Sequence, residues 1–190
     1  MRIAVSGTHC TGKSTLIDEF LHVHPEFAHE PEPYTVLVED FGEEFAAEPS
    51  IEDFYRQLEF NIDRLRQHAP GEQVIYERCP LDFLAYIDVL DPQSTERLLD
   101  SVSEAMQNLD LIVYLPLDDT APDSEHPRLR KAVDHRLSAI FRNDEFDVLT
   151  SCAATIIEAT GSTARRLRIL ESHMAHSNMQ PGVVSQSITS

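Results

Sequence analysis

Eight residues near the start of the chain, Gly7-Thr8-His9-Cys10-Thr11-Gly12-Lys13-Ser14, with Thr15 behind them, have the types and spacing to hold a polyphosphate. Two glycines let the backbone wrap tightly round an anion. The N–H groups of the turn and of a following helix then point at the β-phosphate. Lys13 can reach between the β- and γ-phosphates, and Ser14 can offer its hydroxyl to Mg²⁺. In a chain of ordinary composition such a pattern arises by chance on the order of one time in a hundred or less.

Further charged side chains could act on such a ligand. Glu77-Arg78 pairs a carboxylate able to hold Mg²⁺, directly or through water, with a guanidinium fork able to grip a phosphate or an acceptor group. Glu30 is a candidate general base for an acceptor hydroxyl, and Glu32 is its competitor two residues on. Arg128 and Arg130 follow a polar, acidic loop over Asp118–Pro127. They read as lid residues that could close over the γ-phosphate and exclude water. Arg136 is next in line, and Arg142 reads as surface. Asp82, one turn after Arg78, could bond a substrate hydroxyl or serve structure. Thr160 to Ser162 could meet a nucleobase, with Arg165 or Arg166 stacking on it.

These residues need a scaffold that brings them together, and the hydrophobic pattern supplies one. Arg2 to Ser6 reads as a short buried strand and Lys13 to His22 as a helix, the setting a phosphate loop requires. Glu26 to Glu30 reads as a strand stopped by Pro31 and Pro33, and Tyr34 to Ala47 as a helix. Ile51, Phe54, Tyr55, Leu58, Ile62 and Leu65 recur at helical steps, and the aromatics among them read as core. Val74 to Tyr76 forms a strand ending on Glu77-Arg78. Leu81 to Leu90 is a helix, and Asp91-Pro92 opens another running to about Asn108. Leu111 to Leu115 is nearly all apolar, as a parallel strand covered on both faces should be. A helix to about Leu149, a strand over 154–157 and a closing helix to about His173 complete the series.

Five strands alternating with helices imply an α/β fold of three layers, a five-stranded parallel sheet flanked on both faces. Ligands of such sheets sit beyond the carboxyl ends of the strands, where the charged candidates follow. Residues 1–175 read as one domain and 176–190, rich in Ser, Gln, Asn, Pro and Gly, as a disordered tail.

Composition narrows the partners. The formal net charge of the 190 residues is −18, which argues against nucleic acid and anionic membranes. Lys13 and Lys131 are the two lysines, so one of them stands in the phosphate loop. Three cysteines, Cys10, Cys79 and Cys152, lie far apart and support neither a disulfide framework nor a zinc site. With no signal segment and no run long enough to span a membrane, a cytoplasmic setting is expected. A homo-oligomer is compatible with the sequence.

The chain resembles the small P-loop kinases, closest to the AAA-like ATPase/kinase domains related to ribosylnicotinamide kinase and more distantly the deoxynucleoside kinases. GTHCTGKSTL looks like their phosphate loop, HEPEPY like the Glu-Pro segment after their second strand, and YERCPLDFLAYI like their Asp/Glu-Arg motif. Pro127 to Phe141 resembles the arginine-bearing lid. The resemblance implies an acceptor-side base at Glu30, a metal-linked role for Glu77 and a phosphate or acceptor role for Arg78. Three features depart from the deoxynucleoside kinases: Cys79 follows Glu-Arg where they carry Ser, the chain has no Trp where they carry one after Glu-Pro, and their lid arginines are denser. The expectation is transfer of the γ-phosphoryl of Mg·ATP to a small hydroxylated metabolite, a nucleoside or nucleoside-like compound being one candidate. The absence of an Asn-Lys-x-Asp guanine reader favours ATP. The rival is a nucleotide switch acting through a protein partner.

Overall fold

In the computed structural model, which describes residues 1–118 and 125–177, five parallel strands run in the order β2-β3-β1-β4-β5. They are β1 (Arg2–Ser6), β2 (Ala28–Glu30), β3 (Val74–Glu77), β4 (Leu111–Tyr114) and β5 (Thr155–Glu158). The helices are α1 (Lys13–Val23), α2 (Pro33–Glu39), α3 (Ile51–Gln67), α4 (Pro80–Leu90), α5 (Leu99–Met106), α6 (Pro127–Asn143) and α7 (Thr163–Ser177). Strand β1 is central, with β3 on one side and β4 on the other. Val5 lies opposite Glu77 and Ser6 opposite Tyr114, so three strands end together beside the phosphate loop. This is the point where strand order reverses, the place where such sheets bind ligands.

The side chains of the strands alternate between two cores. Ala4, Tyr76, Ile112 and Tyr114 pack with α3, α4, α5 and α6 on one face. Ile3, Val5, Ile75 and Val113 pack with Leu16, Ile17 and Phe20 of α1 and Leu170 of α7 on the other. Both faces are covered, which is why the central strands read as unbroken apolar runs. The expected three-layer α/β fold with its five-stranded parallel sheet is present.

Four helices differ from their sequence reading: the one expected to run to about Leu149 ends at Asn143, where Asp144 turns left-handed at φ +49°, and the closing helix runs past His173 to Ser177. The helix expected over Tyr34 to Ala47 ends at Glu39. The chain curls back there: the Phe41 and Glu43 N–H groups bond the Val36 and Leu37 carbonyls, and Gly42 takes φ +67°. The stretch opening at Asp91-Pro92 begins as two 3₁₀ turns, and the α-helix starts only at Leu99. Asp91 accepts from the Gln93 N–H and the Ser94 hydroxyl, and Thr95 donates to Asp88. Such local side-chain bonds compete with a regular helix start. The tail expected at 176–190 lies outside the described residues from 178 onward. No described helix is long and apolar enough to cross a membrane.

Candidate active site

The loop between β1 and α1 needs glycine where its backbone passes closest to its neighbours. A Cβ on Gly7 would stand 2.5 Å from the Leu115 carbonyl oxygen and 2.8 Å from Thr11 Oγ1. Gly12 caps α1 in the left-handed region, at φ +87°, and, having no side chain, leaves the N-terminal N–H groups of that helix without a cap from it. They face the loop with the positive end of the helix dipole behind them, a ready anion site. Lys13 is buried, and its Nζ donates to the Thr8 carbonyl at 2.9 Å. Burial, and then the charge of Arg78, lower its pKa from the ordinary lysine value. From α7, Arg166 donates to the Thr11 carbonyl at 2.6 Å, clasping the loop from its other side.

Arg78 is the hub. It adopts φ +74°, unusual for a residue with a side chain, and its side chain is 2 % exposed. Nη1 donates to the Gly7 carbonyl at 3.0 Å and Nε to Glu32 Oε1 at 2.5 Å. Asp82, fully buried, lies 3.6 Å from Nη1. Its two oxygens accept the Gly7 N–H at 2.8 Å and the Cys79 N–H at 2.9 Å. One buried ion pair therefore holds both backbone polar groups of Gly7 and fastens the phosphate loop to the β3–α4 junction. Burial resists the charge on Glu32. The Arg78 guanidinium, with Lys13 and His9, overrides it and holds the carboxyl down at about 2. Burial opposes the charge on Arg78 as well, yet Glu32, Tyr86 and Asp82 keep it firmly protonated.

Ser14, on the first turn of α1, donates its hydroxyl to Glu77 Oε1 at 2.9 Å. A hydroxyl and a carboxylate oxygen, meeting beside a phosphate loop, suit Mg²⁺, a hard cation that takes one or two protein oxygens together with substrate phosphates. No group of three or more His, Cys, Asp or Glu side chains with metal-holding geometry occurs among the described residues.

The other sequence candidates separate. Glu30 is not at the loop. Its carboxylate pairs with Arg64 and with His68 Nε2, the latter at 2.7 Å, on the α3 side of β2. The alternation of the strand explains this: Glu30 still belongs to β2, pairing with Tyr76, and points to α3. Glu32, past the strand and its proline, is the carboxylate that reaches Arg78. Arg130 is buried and lines a cavity, while Arg128 is exposed on the first turn of α6. Part of the expected lid loop, residues 119–124, lies outside the described residues. Arg136 joins helices, with Nε 2.6 Å from Asp88 and Nη1 2.7 Å from Glu145. Arg142 forks onto Glu158 at the surface. Of Arg165 and Arg166, Arg166 reaches the loop.

Beside Arg78 lie two adjoining cavities of about 320 and 300 Å³. His9, Phe54, Tyr86 and His126 line both. Arg130 adds to one, and Tyr34, Gln57 and Arg78 to the other. Phe54 and Tyr86 stack, their ring centroids 4.4 Å apart and 14° from parallel. Phe54 read from the sequence as core is both core and cavity wall. His9 projects from the phosphate loop itself. Arg78 above all, then burial, lowers its pKa to about 4, so the imidazole is neutral at physiological pH.

A family model described as an AAA domain matches residues 2–166. No curated protein matches the chain. Among solved structures, the NadR protein in complex with NR superposes with a TM-score of 0.65 at 16% identity, over 97% of this chain and 54% of that one. The chain thus spans about half the length of NadR. Deoxyadenosine kinase from M. mycoides with bound dATP gives 0.61 at 16% identity, over 92% of this chain and 100% of the other. Thymidylate kinase from Ehrlichia chaffeensis gives 0.61 at 12% identity, over 91% and 98%. At these identities the likeness is one of fold, shared with nucleoside and nucleotide kinases.

Proposed function

The chain belongs to the AAA domain family, and on that premise we propose that it is a kinase carrying the γ-phosphoryl group of Mg·ATP to a hydroxyl of a small, nucleoside-like metabolite. One observation carries the reading. The Arg78 guanidinium, which lines one of the cavities, bonds the phosphate loop at Gly7 with one nitrogen and Glu32 with another.

In this reading the loop amides and Lys13 hold the β- and γ-phosphates, and Ser14 and Glu77 hold Mg²⁺, which when bound offsets phosphate charge. Glu32 orients the acceptor hydroxyl. The acceptor oxygen bonds to phosphorus as the bond from phosphorus to the β–γ bridging oxygen breaks; the hydroxyl proton passes to Glu32 and ADP departs. A carboxyl held near 2 is a weak base, so orientation outweighs proton removal, as suits a loose transition state. Arg78 stabilises the charge of the phosphoryl group in flight, and Arg130 closes over it from α6.

The acceptor follows from charge and shape. A fixed carboxylate beside Arg78 disfavours an anionic acceptor and suits a hydroxyl. The stacked Phe54 and Tyr86 suit a planar ring. NR in the NadR structure and dATP in the deoxyadenosine kinase structure make nucleosides the first acceptors to try. Ribo- and deoxynucleosides are therefore screened for stimulation of ADP release. A phosphorylated product supports the kinase. Slow hydrolysis to ADP and phosphate that no compound stimulates supports the nucleotide switch instead.

A further inference from the structure

The link between β2 and α2 reads Glu30-Pro31-Glu32-Pro33. Its two prolines have no N–H, so neither position can donate a backbone hydrogen bond. With two of its four donors missing, the link depends more heavily on its acceptor atoms. Arg64, a buried side chain of α3, holds them. Its Nη1 donates to the Pro31 carbonyl at 2.6 Å, and its Nη2 pairs with the Glu30 carboxylate. One planar fork thus grips two consecutive residues, and the next residue in the chain is Glu32.

The fork is itself held. The Arg64 guanidinium carbon lies 5.3 Å from the centroid of the Phe60 ring. Glu30 Oε1 is taken by His68 Nε2 at 2.7 Å, and His68 Nδ1 meets Glu72 at 2.7 Å. Glu30 is therefore held at both oxygens, by Arg64 of α3 and by His68 just past its end, and orients the guanidinium. From the other end of the link, Glu32 reaches across to Arg78. A displacement of roughly 1 Å at a reacting group can cost about 10²-fold in rate, so a link this poor in donors needs a dedicated anchor.

We propose that Arg64 is a positioning residue: by fixing the Glu30-Pro31 backbone it sets the place at which Glu32 meets Arg78. Its bearing on catalysis rests on the reading of Glu32 as the acceptor-side carboxylate. Arg64 itself touches neither cavity residue Arg78 nor the phosphate loop in the contacts described; it acts through the chain.

The test needs no acceptor. The Glu32 side-chain carboxyl is followed by carbon-13 NMR through an acid titration, in the wild type, Arg64→Met and Arg64→Lys. Mg·ATP binding is measured alongside by calorimetry. In Arg64→Met the Glu32 midpoint should rise by about one unit or more as its contact with Arg78 loosens. Arg64→Lys, which keeps the charge but spans only one of the two partners, should show a smaller rise. The Mg·ATP dissociation constant should stay within about twofold of wild type in both, a change of under about 0.4 kcal/mol. A Glu32 titration identical to wild type in either folded variant would overturn the proposal. In the wild type alone, the Arg64 Nη protons should be slow to exchange, and a freely rotating guanidinium would overturn it equally. Should Glu32→Gln leave phosphoryl transfer intact while Arg64→Met still moves the titration, the assignment of Glu32 fails and the positioning by Arg64 stands.

Discussion

Arg78 and Gly7 are 71 residues apart in the chain, and the Arg78 guanidinium donates to the Gly7 carbonyl at 3.0 Å. Asp82, one turn further along α4, accepts the N–H of the same glycine. The phosphate loop is thus not a free turn between strand and helix. It is a loop whose first residue is bolted to the segment carrying Glu77 and Arg78.

Removing Asp82 tests that bolt. Asp82→Ala leaves the Gly7 and Cys79 N–H groups without their acceptor and Arg78 without one of two carboxylates. Breaking a buried pair from one side costs about 3–5 kcal/mol. Thermal unfolding should show a drop of roughly 6–20 °C for a domain of this size. Asp82→Asn, which keeps an acceptor oxygen, should lose less.

Lys13 is the loop's own cation. Lys13→Ala should weaken Mg·ATP binding by about 10- to 100-fold, the worth of a charge-assisted hydrogen bond, read by calorimetry. Its thermal stability should fall less than that of Asp82→Ala, since burial already works against the Lys13 charge and the hydrogen bond given up is to the Thr8 carbonyl.

Two clusters give stability opposite pH edges. Glu32 titrates at about 2 in the folded chain, below the ordinary glutamate value of about 4.3. Its contribution is complete above the ordinary value and is lost as pH falls through about 2. His9, depressed to about 4, adds to the acid-side loss, because the unfolded chain takes up that proton first. His68 goes the other way. Burial works against its charge, but hydrogen bonds to Glu30 and Glu72 raise its pKa. Its contribution is complete below the ordinary histidine value and fades as pH rises through the raised one. Melting temperature against pH should therefore fall on both sides. Glu32→Gln should flatten the acid limb and His68→Gln the alkaline one.

Gly7→Ala should be far more damaging than Gly42→Ala. A Cβ at Gly7 meets the Leu115 carbonyl at 2.5 Å, whereas nothing lies within 4 Å of one at Gly42, although both have positive φ. Strain at Gly42 costs about 1 kcal/mol. At Gly7 the backbone must move as well, and melting should show the difference.

The loop over residues 7–15 was legible because its groups are local: glycines, amides, lysine and hydroxyl all come from nine consecutive residues. Glu77-Arg78 was legible because a strand end must deliver it beside that loop. The place of Glu30 was not, because it depends on where β2 stops: Glu30 still lies in the strand and meets Arg64 and His68, whereas Glu32, past Pro31 and outside the strand, meets Arg78. Arg64 and Asp82 act through contacts distant in sequence, and helical periodicity says only which face they share. Phe54 obeyed the core pattern while also walling a cavity, a double use that spacing alone does not separate.

Glu32→Gln compared with Glu30→Gln is the most direct measurement. With a nucleoside that stimulates ADP release, Glu32→Gln should bind Mg·ATP within about twofold of wild type and transfer phosphate about 10²-fold more slowly, while Glu30→Gln retains most of its transfer. Equal transfer by Glu32→Gln and wild type, or no heat from Mg·ATP with the wild-type chain, would contradict the account.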